Sequence, residues 1–186
     1  MEYLGLVSSG VTFEVIRDGN IEQCRGLCNE LMAFQKSKAL LEPERFDAMD
    51  FDTRMMRSYA AALDKQVVIV KDDGVPIGYA FSTVESADSL RNSPFRLLPD
   101  RGDLPERVGC LSNLYLREEY RGTGIGSRLF ELSMEWLESR EGVDLIYVFI
   151  SNGNDAAYEF YTRRGFVFSH EVLEGFIKAV CMRRDA

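Results

Sequence analysis

Apolar and polar positions along the chain switch repeatedly between a period of two and a period near 3.6. Val11 to Arg17 (VTFEVIR) reads as a strand, and Asp18-Gly19-Asn20 supplies turn chemistry after it. From Ile21 to roughly Ala39, Leu27, Leu31 and Phe34 are spaced for one buried helical face. A shorter helix is predicted from Thr53 to Leu63. Val67 to Val70, the turn Asp72-Asp73-Gly74 and Ile77 to Thr83 then form a hairpin. Val108 to Leu116 is a strand, Gly124 to Arg140 a helix, and Leu145 to Ile150 (LIYVFI) a buried strand. Asp155 to Arg164 is a short helix stopped by Gly165, and residues 166–182 hold two last strands. The order predicts one mixed α/β (α+β) domain.

One stretch breaks the rhythm. Residues 88–106 carry Pro94, Pro99 and Pro105, three of the chain's five prolines, amid polar residues. They read as a long surface loop, either disordered or a substrate lid, because loops beyond about 12–15 residues are uncommon without such a role.

Composition narrows the function. The chain has 186 residues, 46% apolar and 28% charged, which suits one globular domain with a sizeable core. Twenty-two Lys+Arg against 30 Asp+Glu give a net charge of -8, and that balance argues against a nucleic-acid partner. One His and four scattered cysteines (Cys24, Cys28, Cys110, Cys181) leave little for a metal centre, so none is expected. The cysteines lack the density of a disulfide scaffold and read as small core residues. No stretch approaches the roughly 18 apolar residues of a membrane span, so no membrane partner is expected. Met1 to Gly10 lack a basic-then-apolar leader pattern, and a cytoplasmic, reducing setting is the expectation.

The chemistry concentrates in Leu111 to Leu129, LSNLYLREEYRGTGIGSRL. A strand ends near Leu116, and Arg121-Gly122-Thr123-Gly124-Ile125-Gly126 leads into a helix. Glycine there lets backbone approach a ligand and reach positive φ. Free N–H groups and the dipole at the helix start favour an anion, and Arg121 adds a cation suited to phosphate. No Lys follows the glycines as a nucleoside-triphosphate loop requires, and the spacing fails G-x-G-x-x-G at Ser127. The pattern that fits is R-x-x-G-x-G, on Arg121, Gly124 and Gly126.

This segment resembles motif A of the Gcn5-related N-acetyltransferases (GNAT). Asn154-x-x-Ala157-x-x-Phe160-Tyr161-x-x-x-Gly165-Phe166 is similar to that family's second motif, at the right distance downstream. The resemblance implies a central, mostly antiparallel sheet of about six to seven strands flanked by helices, with a splayed central strand pair forming a CoA cleft. It implies an N-terminal acceptor-side part over about 11–106 and an acetyl-CoA-binding core over about 107–168, within one domain spanning 1–186. Acetyl-CoA is the implied cosubstrate, held by Leu114, Tyr115, Leu116, Arg121, Gly122, Thr123, Gly124, Ile125, Gly126, Ser127, Asn154, Ala157 and Tyr161. The implied reaction is direct acetyl transfer to the primary amine of a small molecule or peptide through a ternary complex. A non-catalytic CoA-binding regulatory module on the same fold is the alternative.

The roles of single residues divide. Asn154 reads as a helix cap or a ligand amide, with Asp155 as a rival cap. Tyr161 by spacing belongs to core packing; the resemblance implies that it protonates the departing thiolate. A backbone N–H near Leu114 is the implied donor to the thioester oxygen. Gly109 to Asn113 offer no carboxylate where some relatives carry a base, and Glu85 is the substitute, with Asp88 behind it; both also read as solvated charges at a strand end. His170 reads as structural. Glu42, Glu44, Asp47, Asp50, Asp52, Asp88, Asp100 and Asp103 make an acidic rim, either a solvated surface or an attraction for a cationic amine. Dimerisation through the last strands is common in the family, so a homodimer is the remaining expectation.

Overall fold

The computed structural model describes residues 3–6, 10–99 and 104–184. Eight strands form one sheet: β1 (Tyr3–Leu6), β2 (Val11–Val15), β3 (Asp64–Asp72), β4 (Val75–Ser86), β5 (Arg107–Leu116), β6 (Val143–Ser151), β7 (Val167–Val172) and β8 (Ile177–Arg183). Their spatial order is β1-β2-β3-β4-β5-β6-β8-β7. The pairs are antiparallel except β5 with β6. Strands β2 to β8 supply the seven expected from the resemblance. β1 adds an outer strand where the sequence pattern indicated none.

The sheet separates two layers because side chains in a strand point alternately to its two faces. Val68 and Val70 of β3 and Ala80 of β4 pack under α4 (Ile125–Glu138) and α5 (Asp155–Thr162). Val67, Ile69, Tyr79 and Phe81 meet α1 (Arg25–Lys38) and the turns after it. β4 is buried without a break from Ile77 to Val84, as a strand covered on both faces must be. The predicted first helix divides: Ile21–Cys24 tighten into a 3-10 turn, and α1 buries Leu27, Cys28, Leu31 and Met32. Phe34, expected on that buried face, is only half-buried. The predicted second helix opens as a wide π turn over Phe51–Met56, secured by a reciprocal Asp50–Thr53 capping box, and continues as α2 (Arg57–Ala61).

The described part of the 88–106 stretch is tied to the body of the protein. It begins inside α3 (Ala87–Arg91), capped by Ser86, and Leu98 is fully buried against Val108, Cys110, Leu145 and Tyr147. His170 has the structural role expected of it. Its Nε2 lies 2.9 Å from the Leu97 carbonyl oxygen and its Nδ1 2.9 Å from Ser169 Oγ, fastening the loop to β7. Residues 100–103, and with them Asp100 and Asp103, lie outside the described residues.

Two irregularities open the sheet. β5 and β6 run together only from Arg107↔Val143 to Cys110↔Tyr147. Immediately beyond, Asn113 pairs with Phe81 and Leu111 with Ser82, so Ser112 is the extra residue of a β-bulge. A bulge bends its strand and re-aims the side chains past it. From Leu111 onward β5 leans toward β4 and leaves β6, which continues with β8 as far as Ser151↔Ile177.

Candidate functional site

The gap between the parted strands is a cleft of about 1310 Å³. That exceeds the roughly 300–1,000 Å³ of a pocket for one small ligand, and it leaves room for two. Its floor is β5 from Leu111 to Leu116 on one side and Val148, Phe149 and Ile150 of β6 on the other. One end is closed by Arg121, Gly122, Gly124, Gly126 and Ser127, with Asn154, Ala157, Phe160, Tyr161 and Arg164 of α5 beside them. The other end is walled by α1, by segments of 45–58, and by Pro94, Phe95 and Leu97.

The loop end is built from backbone. Gly122 and Gly124 have φ of 78° and 90°, where an L side chain is strained. No atom comes within 4 Å of where a Cβ would stand on either, so the space beside them is open. The first helical bond of α4 is Arg128 N–H to the Gly124 carbonyl at 3.0 Å. The N–H groups of Ile125, Gly126 and Ser127 precede it, and no side chain caps them. These donors and the helix dipole face the cleft end, a ready anion site. Arg121 braces the loop: its Nε donates to the Leu116 carbonyl at 3.1 Å and its guanidinium lies 4.6 Å from the Phe34 ring centroid. Phe34 is therefore cleft wall, which is why it leaves the core face of α1. Thr123 donates to the Tyr120 carbonyl at 2.6 Å and, with buried Ile125, supports the loop without lining the cleft.

The model of the acetyltransferase (GNAT) family matches residues 27–166. The chain belongs to the GNAT acetyltransferase family. No curated protein matches it by sequence. Solved structures share its fold at low identity. The Arabidopsis thaliana Naa50 structure, in complex with the bisubstrate analogue CoA-Ac-MVNAL, has 18% identity and a TM-score of 0.58, over 93% of this chain and 98% of that one. The PaiA N-acetyltransferase of Thermoplasma acidophilum, in complex with coenzyme A, has 17% identity and a TM-score of 0.61, over 92% and 98%. A GNAT-family acetyltransferase from Streptococcus pneumoniae has 15% identity and a TM-score of 0.59, over 94% and 99%.

In this GNAT chain the second motif meets the first across the cleft. Asn154 is the cap of α5, its Oδ1 accepting from the Ala157 N–H at 3.3 Å, and it lines the cleft as well. Tyr161 is 6% exposed, its ring packed among Phe130, Phe160 and Phe166. Its hydroxyl has no hydrogen-bond partner among the described residues, and burial pushes its pKa well up, so it is protonated at neutral pH. Core packing and a cleft position coexist in one side chain. Arg164, to which the sequence reading gave no role, ties the motifs together. It donates to Ser127 Oγ and the Phe160 carbonyl, both at 2.9 Å, with its guanidinium 3.6 Å from the Phe160 ring centroid. The four-residue spacing from Phe160 was the available signal.

Glu85 is not part of the cleft wall. It sits half-buried on β4 opposite Val108, and burial raises its pKa above the ordinary Glu value, with the nearby Thr83 hydroxyl and the charges of Arg54 and Lys65 partly offsetting that rise. Thr83 Oγ1 in turn lies 3.1 Å from Ser112 Oγ, and Ser112, the bulge residue, does line the cleft. Asn113 is a further cleft residue that the sequence reading did not assign. It is 4% exposed, and its Oδ1 has no partner. The adjacent Ser and Asn inside an otherwise apolar strand carried that signal, since two successive polar positions break strand alternation.

The acidic rim turns away. Glu42 pairs with Arg45, Asp47 with Lys36, Asp52 with Arg25 and Asp88 with Arg91, while Asp50 is used in its cap. Among the described residues no Asp or Glu lines the cleft. No cysteine does either. Cys24 and Cys28 lie in the α1 layer with raised pKa, Cys24 pushed up to about 12 by burial. Among the described residues no His, Cys, Asp and Glu side chains converge as metal ligands, and no helix is long and apolar enough to cross a membrane.

Proposed function

We propose that the protein is an acetyl-CoA-dependent N-acetyltransferase that moves the acetyl group directly to a primary amine of a small molecule or peptide. The observation carrying this is the continuous cleft. Anion-binding backbone closes one end, a separate side-chain chamber the other, and the break between β5 and β6 joins them. CoA ligands of PaiA and the CoA-peptide conjugate of the Arabidopsis protein suit the same reading.

In this reading the pyrophosphate lies on the N–H groups that open α4. The pantetheine arm runs along Leu114 to Leu116, and a β5 backbone N–H near Leu114 donates to the thioester oxygen as charge develops. Tyr161, protonated and beside the cleft, gives its proton to the departing sulfur. The attacking amine must be neutral. Its proton passes to Ser112 Oγ, the Ser112 proton to Thr83 Oγ1, and the Thr83 proton to the Glu85 carboxylate. Glu85 thus acts as base without touching substrate. Its raised pKa places the low-pH limb of activity above that of an ordinary Glu: the deprotonated form is active, and activity falls as pH drops through that pKa. An acetyl-CoA assay over an amine panel, following thiol release and acceptor mass, tests the proposal. An acetylated amine is expected; CoA binding with release from no amine would leave only a binding module.

A further inference from the structure

The acceptor end of the cleft is cationic in a chain whose net charge is -8. Arg54 and Arg57 line it, and no carboxylate does among the described residues. Arg54 is half-buried on the π turn. Its guanidinium donates to Ser58 Oγ at 3.0 Å, and among the described residues no carboxylate comes within ion-pair distance of it or of Arg57. This is notable because the same segment offers Glu44, Asp47, Asp50 and Asp52. Asp47 and Asp52 are held by other cations and Asp50 by its cap. Glu85 feels the Arg54 charge without forming an ion pair with it, so the guanidinium, partly withdrawn from water, keeps donors that a bound anion can use.

The positions distinguish this end from the CoA loop. The charge of Arg54 acts on Cys28, Glu85 and Cys110, near the start of β5. Cys110 to Leu116 is six residues, or about 20 Å of strand. Arg121 stands beyond Leu116, so the two ends of the cleft hold separate cations. Between them lies Asn113, buried, with an amide oxygen that nothing in the fold satisfies. Gln35 of α1, which also lines the cleft, holds a second buried amide oxygen without a partner.

We infer that the acceptor is a primary amine bearing an anionic group, a carboxylate or a phosphate. The anion sits on Arg54 and Arg57, and the amine hydrogens sit on the Asn113 amide oxygen. This deepens the acetyltransferase reading and rests on it. The arrangement also favours the chemistry: positive charge beside a bound ammonium lowers its pKa and helps free the attacking lone pair. Polyamines, which carry only positive charge, meet repulsion at the same place. The cleft wall near the arginines includes Met32, Phe46, Met49 and Leu97, so a carboxylate or phosphate with a small apolar body fits best.

Matched amines separate the possibilities. L-leucine against L-leucinamide isolates a carboxylate, phosphoethanolamine against ethanolamine isolates a phosphate, and spermidine represents a polycation. Each is measured for binding to the protein saturated with CoA by calorimetry, and for thiol release with acetyl-CoA. One anionic member is expected to bind and turn over at least 10-fold better than its neutral partner, with spermidine poorest. Which pair shows the preference identifies the anion. Arg54→Gln is expected to cost about 10- to 100-fold in kcat/KM for that acceptor, the range for a charge-assisted hydrogen bond, mainly through KM, with Arg54→Lys restoring part of it. Arg57→Gln, at an exposed position, gives an independent variant should Arg54→Gln fold poorly. Equal or better use of the neutral amides or spermidine overturns the inference. Anion-dependent binding with no thiol release keeps the anion site and overturns the transferase reading.

Discussion

The two ends of the cleft are made of different material. The loop end offers main chain: two glycines at positive φ, three uncapped N–H groups and a helix dipole. Its side chains brace rather than bind, as Arg121 does on Leu116 and Phe34. The proposed acceptor end offers side chains brought from distant parts of the chain: Gln35, Arg54, Arg57, Phe95, Asn113 and Leu173. Main-chain recognition needs a fixed local sequence, because only certain residues adopt the geometry. Side-chain recognition needs only that a suitable group arrive, so it can change one position at a time. One fold can thereby keep its cosubstrate while its acceptor changes.

Mutations at the two ends should fail in different ways. Gly124→Glu is expected to have the largest effect, weakening acetyl-CoA binding by more than ~10³-fold, because it adds strain at φ 90° and a carboxylate at an anion site. Calorimetry with acetyl-CoA reads this directly; affinity near that of the parent would remove the loop from the cosubstrate site. Tyr161→Phe is next, lowering kcat by ~10²-fold with little change in KM, within the usual span of general acid catalysis. The ring stays in place among its aromatic neighbours, so the melting temperature should hold, and unchanged turnover would confine Tyr161 to packing. Glu85→Gln is expected to lower kcat/KM by ~10-fold or more at neutral pH and to abolish the low-pH limb. Ser112→Ala, which cuts the path while leaving Glu85 in place, should reproduce that loss; a full limb in both variants would assign the proton to another acceptor. Phe34→Ala should be smallest, raising KM for acetyl-CoA about 2- to 5-fold through loss of the Arg121 contact, as suits an exposed cation–π pair. An equal rise in acceptor KM would mean that Phe34 belongs to both ends.

The same contrast explains what was legible before the structure. Arg121 to Ser127 and Asn154 to Gly165 could be read because glycine spacing and capping chemistry are local. Strand and helix order was equally accessible from periodicity. The acceptor end left no such trace: Arg54 and Arg57 belong to a run of mixed charge, DFDTRMMR, and the π turn with the helix after it sets both on the cleft while Asp50 and Asp52 find other partners. Glu85 reads from the sequence as a carboxylate near the end of the strand before β5. Its separation from the cleft by Thr83 and Ser112 depends on strand register and a bulge, which residue types alone do not specify. The 88–106 stretch reads as a loop, and after α3 its described residues form one. What its prolines do not show is how it is held: Leu98 enters the core, and the Leu97 carbonyl meets His170 from a distant strand.

Ser112 has a consequence for how such a cleft arises. Across the bulge, Leu111 faces Ser82 and Asn113 faces Phe81, so the partners on β4 are consecutive although the residues on β5 are not. Remove Ser112 and every later residue keeps both its partner and its face. The sheet would then be free to close, β5 running on beside β6 in an unbroken ladder. By this reckoning the opening between β5 and β6 hangs in part on one residue that the β4 ladder does not use.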